Sequence, residues 1–341
     1  MKKIIVTGGT GYIGSHTVVE LANAGYEPVI IDDFSNSEPL VLSKLENIIG
    51  RKTAFHEGDV CDPVFLSGVF SKEKEIYGVI HFAAFKAVGE SVQKPIKYYR
   101  NNMSSTMVLL EVMKRFKCEN LVFSSSCTVY GQADVLPVTE ETPRKEAESP
   151  YGNTKKICED IIRDTIQSGR GLKAVALRYF NPIGAHPSSH IGELPLGVPA
   201  NLVPFITQTA AGIRDSLTVF GNDYNTPDGT CIRDYIHVTD LATAHVKSIE
   251  YLGRTGGDKT YDTFNVGVGK GYSVLEVIKA FEKGTGVKLN YKIAGRRAGD
   301  VEQIYADTTK ATNLLHWKAE KTLEEALKDA WEWQLLLQKR P

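Results

Sequence analysis

Short apolar segments alternate with helix-like segments along the first half of the chain. The apolar segments are residues 3–7, 28–33, 53–59, 78–84, 121–126 and 173–180. Mostly apolar strands of this length, each followed by a helix, are typical of a parallel sheet that is covered by helices on both faces. The pattern therefore predicts an α/β fold with a doubly wound parallel sheet.

A glycine-rich turn lies directly between the first strand and the first helix, which we expect over 15–25. It carries Gly8, Gly11 and Gly14 within the sequence TGGTGYIG. Glycines let a pyrophosphate approach the backbone, and the start of a helix offers free N–H groups and a partial positive charge. In this context the turn predicts a dinucleotide site in a Rossmann-type domain.

Acidic residues follow the second and third strands. Asp32 comes eighteen residues after Gly14 and can accept two hydrogen bonds from an adenosine ribose. Asp32 and Asp33 would repel a 2'-phosphate, and no Arg or Lys lies between 32 and 43, which favours NAD over NADP. Asp59 either reaches the adenine amino group, or caps the helix that follows Asp62, or does both.

Tyr151 and Lys155 are four residues apart, so a helix places them on one face, one turn from each other. A free Tyr has a pKa near 10, and a nearby ammonium together with a nicotinamide ring would bring the phenol toward its working range. Ser126 ends the fifth strand, at the sheet edge where ligands bind, and can hydrogen-bond the oxygen being oxidised. We interpret these three residues as the catalytic group.

The second half is less regular. Residues 182–204 are rich in Gly and Pro, and helix-like and strand-like segments follow, ending in a helical pattern over 323–339. We expect a cofactor domain over 1–180 and a smaller α/β substrate domain over 181–341.

Composition limits the partners and the compartment. The 341 residues include 40 Lys+Arg and 41 Asp+Glu, a net charge of -1 that offers no long-range attraction to nucleic acid or an anionic membrane. The five cysteines lack a C-x-x-C spacing, so neither a disulfide framework nor a zinc site is expected. The N-terminus is too short in apolar residues for a signal peptide, and no segment is long enough to span a bilayer. These features predict a cytoplasmic protein without a metal.

More specific segments run in order through nearly the whole chain. They are TGGTGYIGSH, DDFSNS, HFAAFKAVGESVQKP, YYRNN, FSSSCTVYG, SPYGNTK, LRYFNPIGAHPS, GTCIRDYIHVTDLA and GRRAGD. Together they resemble the UDP-glucose 4-epimerase family of extended short-chain dehydrogenase/reductases. The resemblance implies retained NAD, a UDP-hexose substrate, a homodimer, and a segment near 236–266 that returns to the cofactor domain. It also implies a 4-keto intermediate that turns over in the site.

The resemblance assigns contacts position by position. The implied cofactor contacts are Tyr12, Ile13, Asp32, Asp33, Phe34, Ser35, Asn36, Ser37, Asp59, Val60, Phe82, Ala83, Ala84, Phe85, Lys86, Asn101, Ser126, Tyr151, Lys155 and Phe180. The implied substrate contacts are Lys86, Ser126, Tyr151, Asn181, Asn201, Leu202, Thr218, Val219, Phe220, Arg233, Tyr235 and the range 297–300, with Arg297 and Asp300 at its ends. Arg233 and Arg297 would bind the diphosphate, Phe220 the uracil and Asp300 the ribose.

Some positions depart from the family pattern. Ala84 and Phe85 stand where Gly-Leu is common, and Cys127 replaces an Ala and is expected to be a buried filler. The resemblance implies that Ile304 occupies the position that limits the size of the sugar. The volume of Ile is intermediate, so whether N-acetylated UDP-hexosamines are substrates is left undecided.

Three other functions are alternatives. A 4,6-dehydratase needs a carboxylate beside the serine, where this chain has Cys127 and Thr128. A UDP-uronate decarboxylase or epimerase shares the sugar-oxidising residues and stays open. A non-catalytic NAD sensor would tolerate the loss of Tyr151 or Lys155, but both are present.

Overall fold

The computed structural model describes residues 1–169, 171–256, 260–297 and 300–339. The strands are β1 (Lys3–Thr7), β2 (Glu27–Asp32), β3 (Ala54–Glu57), β4 (Ile76–His81), β5 (Asn120–Ser126), β6 (Lys173–Tyr179), β7 (Asn181–Ile183), β8 (Leu217–Phe220), β9 (Ile232–His237), β10 (Tyr261–Val266), β11 (Gly271–Ser273), β12 (Tyr291–Ala294) and β13 (Gln303–Ile304). The α-helices are α1 (Tyr12–Asn23), α2 (Leu40–Ile49), α3 (Pro63–Glu73), α4 (Val88–Gln93), α5 (Pro95–Arg115), α6 (Pro150–Ser168), α7 (Leu202–Ala210), α8 (Val238–Arg254), α9 (Val274–Thr285) and α10 (Leu323–Gln338).

Seven strands form one parallel sheet in the order β3-β2-β1-β4-β5-β6-β10. The chain builds outward from β1 to β3 and then crosses back to β4, so the strand order reverses between β1 and β4. There the Phe82 N–H donates to the carbonyl oxygen of Thr7 over 3.0 Å. Ligands of such sheets bind outside the carboxyl ends at this reversal. The Rossmann-type α/β prediction is confirmed.

Helices cover both faces of the sheet, as the apolar strands require. Alternate residues of β1 point to opposite sides, with Ile4 and Val6 in one apolar core and Ile5 in the other. The first core contains side chains of α1, α2 and α8, and the second those of α3, α5 and α6. Burial on both faces explains why these strands read as continuous apolar runs.

The chain returns to the main sheet after β9. Helix α8 packs in the same core as α1, and β10 pairs in parallel with β6 along its whole length. Between β7 and α10 the remaining elements surround a third apolar core with members from α7, β8, β9, α9 and α10. Helix α10 begins with a capping box between Thr322 and Glu325, which pairs the free N–H groups of its first turn.

Element ends differ modestly from the sequence expectation. Helix α1 begins at Tyr12 rather than Ser15, because Gly11 takes the extended conformation of an N-cap residue. Its other end agrees, since Gly25 has a φ of 81°, which glycine tolerates best. Among the described residues, no helix combines the length and the apolar character that crossing a membrane requires.

Candidate active site

The glycine turn after β1 has a geometry that larger residues would disturb. Gly8 has a φ of 70°, and a Cβ there would lie 2.9 Å from the backbone nitrogen of Ala83. A Cβ on Gly14 would collide with the Gly8 carbonyl oxygen. Gly11 caps α1 without a side-chain hydrogen bond, and the first turn carries no acidic residue. The N–H groups of that turn therefore suit a pyrophosphate.

Asp32 joins the glycine turn to the loop after β2. Its carboxylate accepts from the Thr10 N–H at 3.1 Å, the Phe34 N–H at 3.0 Å and the Ser37 hydroxyl at 3.2 Å. An ionised carboxylate offers about four acceptor positions, so little capacity remains for a ribose. Asp32 thus positions the turn as well as presenting an acceptor at the sheet edge.

The rest of this loop is open to solvent. Asp33 accepts the Ser35 N–H at 2.9 Å, while Ser35 and Asn36 are exposed. Phe34 takes a φ of 55° and its ring lies 5.2 Å from that of Phe55. The loop is polar and exposed, and it contains one half-buried aromatic ring. These features suit contact with an adenosine rather than packing in the protein core.

Asp59 does not cap α3. The N-cap is Asp62, which accepts from the N–H groups of Val64 at 2.8 Å and Phe65 at 3.2 Å. Asp59 instead accepts the Cys61 N–H at 2.8 Å, because it lies in the preceding turn. The helix-cap interpretation is therefore wrong.

Residues 82–86 follow β4 and are anchored by a residue that the sequence analysis missed. Asn102 on α5 accepts the Phe85 N–H at 2.9 Å and donates to the Phe85 carbonyl at 3.1 Å. It also donates to the Thr154 hydroxyl on α6 at 3.0 Å. Its neighbour Asn101, half-buried, donates to the Asn102 side chain at 3.0 Å. The YYRNN segment was the only available signal for this anchor.

Tyr151, Lys155 and Ser126 come together at the carboxyl edge of the sheet. Ser149 caps α6 by accepting the Gly152 N–H at 3.2 Å, which fixes the first turn that bears Tyr151. The Ser126 hydroxyl faces the Tyr151 phenol and accepts hydrogen bonds from the Thr128 N–H at 3.2 Å and the Thr128 hydroxyl at 3.0 Å. Lys155 Nζ lies 6.0 Å from the centre of the Tyr151 ring and donates to the Ser124 carbonyl at 2.7 Å.

Burial dominates the electrostatics of this group. It raises the pKa of Tyr151 well above 10, and the nearby Tyr179 raises the pKa further, while the neighbouring Ser126 hydroxyl lowers it. Burial also lowers the pKa of Lys155 from 10.5 to about 8. The protein by itself therefore keeps the phenol protonated, and a lowering of its pKa by Lys155 stays a prediction.

Two buried groups beside the lysine were not predicted. The Tyr179 hydroxyl forms a short hydrogen bond with Ser124 Oγ, on the residue whose carbonyl binds Lys155. His81 pairs with Thr7 Oγ1 at 2.7 Å, and burial followed by the charge of Lys155 lowers its pKa to about 3. The LRYFNP motif contained Tyr179, but only the pairing of β6 with β5 brings it to this position.

Strand pairings assemble several predicted substrate residues. Asn181 on β7 pairs with Tyr235 on β9, and Ile304 on β13 pairs with Arg233. Ile304 is buried in one apolar cluster with Cys127 and Phe180. Burial raises the pKa of the Cys127 thiol to about 12, which agrees with a filler rather than a nucleophile.

Phe220, Arg297 and Asp300 form a second group. The Arg297 guanidinium lies 5.6 Å from the centre of the half-exposed Phe220 ring and forms an ion pair with Asp300 at 2.7 Å. Residues 298 and 299 of the expected 297–300 contact lie outside the described residues. Thr218 precedes Val219 on the same strand.

Two predicted contacts have side chains that face the core. Val60 and Val219 are 4% and 1% exposed and pack in apolar cores, so their side chains are not available to a ligand. Asn201 stands before α7 and Leu202 begins it. Lys86 forms an ion pair with Glu193 at 3.4 Å. The sequence analysis did not single out Glu193.

A doubly wound sheet with a Ser–Tyr–Lys group at its carboxyl edge defines an extended short-chain dehydrogenase/reductase. A family model described as GDP-mannose 4,6 dehydratase matches residues 5–330. UDP-glucose 4-epimerase of Bacillus subtilis (strain 168) is 50% identical over 332 residues, which are 97% of this chain and 96% of that protein. The chain belongs to this family and, within it, to the UDP-glucose 4-epimerases.

Solved structures agree with the sequence relatives. The UDP-glucose 4-epimerase of Bifidobacterium longum, in complex with NAD+ and UDP, superposes with a TM-score of 0.94 at 47% identity and covers 98% of each chain. That of Stenotrophomonas maltophila, with NAD and formylated UDP-arabinopyranose, gives 0.96 at 43% identity over 99% of each chain.

Proposed function

We propose that the chain interconverts UDP-glucose and UDP-galactose at carbon 4 of the hexose. The observation that carries this proposal is the meeting of Ser126, Tyr151 and Lys155 at the carboxyl edge of the sheet. Relatives at about 50% identity over nearly the whole chain bear the name UDP-glucose 4-epimerase, which supports the same substrate.

The residues around the switch point fit NAD. The uncapped first turn of α1, the close approach of Gly8 to Ala83, and the acceptor at Asp32 provide a pyrophosphate cradle and a ribose contact. The absence of a basic side chain between 32 and 43 favours NAD over NADP. NAD held by these residues would supply a reversible hydride acceptor for carbon 4 of the hexose.

The chain's own residues move the proton. The Tyr151 side chain in its phenolate form, which the charges of Lys155 and of bound NAD would favour, takes the proton of the 4-hydroxyl, and the Ser126 hydroxyl orients the 4-hydroxyl by a hydrogen bond. Lys155 lies one helical turn away and is held by the Ser124 carbonyl, so its charge faces the phenol at a fixed distance. The 4-keto sugar then turns over in the site, and the same phenol returns the proton.

The uridine diphosphate, which lies far from the reacting carbon, has to be bound tightly so that the sugar can turn over without leaving the site. We assign the uridine and diphosphate to Phe220, Arg233, Arg297 and Asp300. The contact between Phe220 and Arg297 supports a site in which uracil and phosphate are neighbours. The pairing of Ile304 with Arg233 supports Ile304 as a boundary of the sugar pocket.

The organisation of the protein completes the proposal. We assign the cofactor domain to 1–180 with the returning segment near 236–266, the UDP-sugar domain to 181–341, and the active form to a homodimer. The pairing of β10 with β6 supports the returning segment. The cysteines are unpaired in the structure, which supports a reducing compartment such as the cytoplasm.

The test is conversion of UDP-galactose to UDP-glucose by purified protein without added cofactor. We expect conversion, together with NAD released when the protein is denatured. Protein that binds NAD but converts neither UDP-hexose would contradict the proposal and favour a sensor. Parallel assays with a UDP-uronate distinguish the epimerase from a UDP-uronate decarboxylase or UDP-uronate epimerase. Light scattering measures whether the protein is a homodimer.

A further inference from the structure

Glu193 lies where the glycine turn, the segment after β4 and the loop before α7 meet. Its carboxylate forms an ion pair with Lys86 at 3.4 Å and accepts a hydrogen bond from the Asn201 amide at 2.6 Å. The same carboxylate raises the pKa of Tyr12, after the larger effect of burial. One carboxylate thus contacts two residues assigned above to ligand binding.

The position of Glu193 is fixed from the opposite side by α10. The Trp333 indole N–H donates to the Glu193 carbonyl at 2.9 Å. A Cβ on the preceding Gly192 would lie 2.6 Å from the Trp333 ring, so only glycine allows the chain to pack this closely. The Glu193 side chain is 12% exposed, whereas that of Lys86 is 47% exposed. A held carboxylate therefore faces a movable ammonium.

We propose that the Glu193 carboxylate competes with a diphosphate for Lys86 and Asn201. An ammonium and an amide N–H₂ group are donors that a diphosphate also attracts. When a diphosphate binds there, Lys86 exchanges its carboxylate partner for a phosphate, and the nearby carboxylate weakens that phosphate's binding. Glu193 is thus a positioning residue that sets ligand affinity. This inference rests on the proposed function.

Both ligands of the proposed function contain a diphosphate, and the test separates them. Calorimetry with UDP on the NAD-containing protein measures the substrate side, and the rate of NAD loss during dialysis measures the cofactor side. In Glu193→Gln the amide oxygen still accepts from Asn201 but the charge is gone. The control Glu332→Gln removes the same charge from α10 beside Trp333.

We expect Glu193→Gln to bind UDP about three- to tenfold more tightly than wild type at low salt. The gain should shrink at roughly 0.5 M salt because screening weakens the competing charge. It should also be smaller in a Lys86→Met background, since competition for Lys86 is then absent, whereas a merely structural role would give no such coupling. The Glu332→Gln control should bind as wild type does.

The outcomes divide as follows. Tighter UDP binding supports competition with the substrate, and slower NAD loss with unchanged UDP binding supports competition with the cofactor. Unchanged or weaker binding of both, or an equal gain with and without Lys86, contradicts competition. A wild type that converts UDP-hexoses while Glu193→Gln changes nothing overturns this inference alone. If no variant binds UDP, the proposed function fails as well.

Discussion

The Lys155 ammonium donates a 2.7 Å hydrogen bond to the carbonyl oxygen of Ser124, two residues before Ser126 on the same strand. This bond ties α6 to β5 at the carboxyl edge of the sheet. Because Tyr151 lies one turn earlier on α6, the bond also sets the distance between the phenol and the Ser126 hydroxyl. The charge of Lys155 is placed by the backbone and not by an acidic partner.

Burial of this ammonium makes Lys155 costly to the folded state. Its pKa is lower in the folded protein than in the unfolded chain, so its destabilising effect is complete below about pH 8 and disappears as the pH rises through 10.5. The shift corresponds to about 3 kcal/mol, part of which the hydrogen bond to Ser124 offsets.

Lys155→Met should therefore raise the free energy of unfolding by roughly 1–3 kcal/mol at pH 7 while losing most turnover. The gain should fall between pH 8 and 10.5. Urea titrations across that range test the sign. A variant that is less stable than wild type at pH 7 would show that the lysine is better paired than the structure indicates.

A buried ion pair supports α6 from behind. Arg178 on β6 donates to both oxygens of Glu159 at 2.9 and 2.7 Å, and both side chains are almost fully buried. Arg178→Met leaves the buried carboxylate with the Ser125 hydroxyl at 2.5 Å and a longer contact to Arg144 at 3.3 Å, so we expect a loss of about 3 kcal/mol in the free energy of unfolding. The control Arg163→Met, in an exposed pair on α6, should cost less than about 1 kcal/mol. Equal losses would contradict the assignment.

The Asp32 contacts predict a separation between two substitutions. Asp32→Asn keeps one carbonyl oxygen, which can accept from the Thr10 N–H or the Phe34 N–H but not from both, because these bind different carboxylate oxygens. The glycine turn should therefore be weakened only in part, and NAD should dissociate modestly faster. Asp32→Ala removes the acceptor altogether, and we expect purified protein to lose about tenfold more NAD on dialysis. The NAD content of each variant is read from its absorbance after denaturation. The same retention in all three proteins would remove Asp32 from the site.

Ile304 provides a test of sugar size. Its pairing with Arg233 and its packing with Cys127 place it beside the catalytic serine's neighbour. Ile304→Ala should raise kcat/KM for UDP-N-acetylgalactosamine relative to UDP-galactose by several-fold, because it removes volume from the pocket boundary. An unchanged ratio would place the boundary elsewhere.

Local patterns in the sequence predicted the parts of the site that local structure builds. The glycine turn, the strand ends and the spacing of Tyr151 and Lys155 all depend on residues close in sequence, where helix and strand geometry fix the outcome. The fold class followed from the same periodicity.

Contacts between distant segments could not be predicted in this way. Glu193 reaches Lys86 only because α10 holds its loop, and Ile304 reaches Arg233 only through the pairing of β13 with β9. One interpretation of Asp59 was that it caps α3, but Asp62 is the N-cap residue. Two aspartates lie within one turn there, and Pro63, which follows Asp62, fixes the start of the helix.

The most direct test of the account is Tyr151→Phe, which removes the phenol oxygen and leaves the ring. We expect kcat for UDP-galactose to fall by about 10²- to 10⁴-fold, with the dissociation constant for UDP within about twofold of wild type. The calorimetric and kinetic measurements use the same NAD-containing preparation. Turnover near the wild-type value would contradict the assignment of Tyr151 as the group that takes the proton.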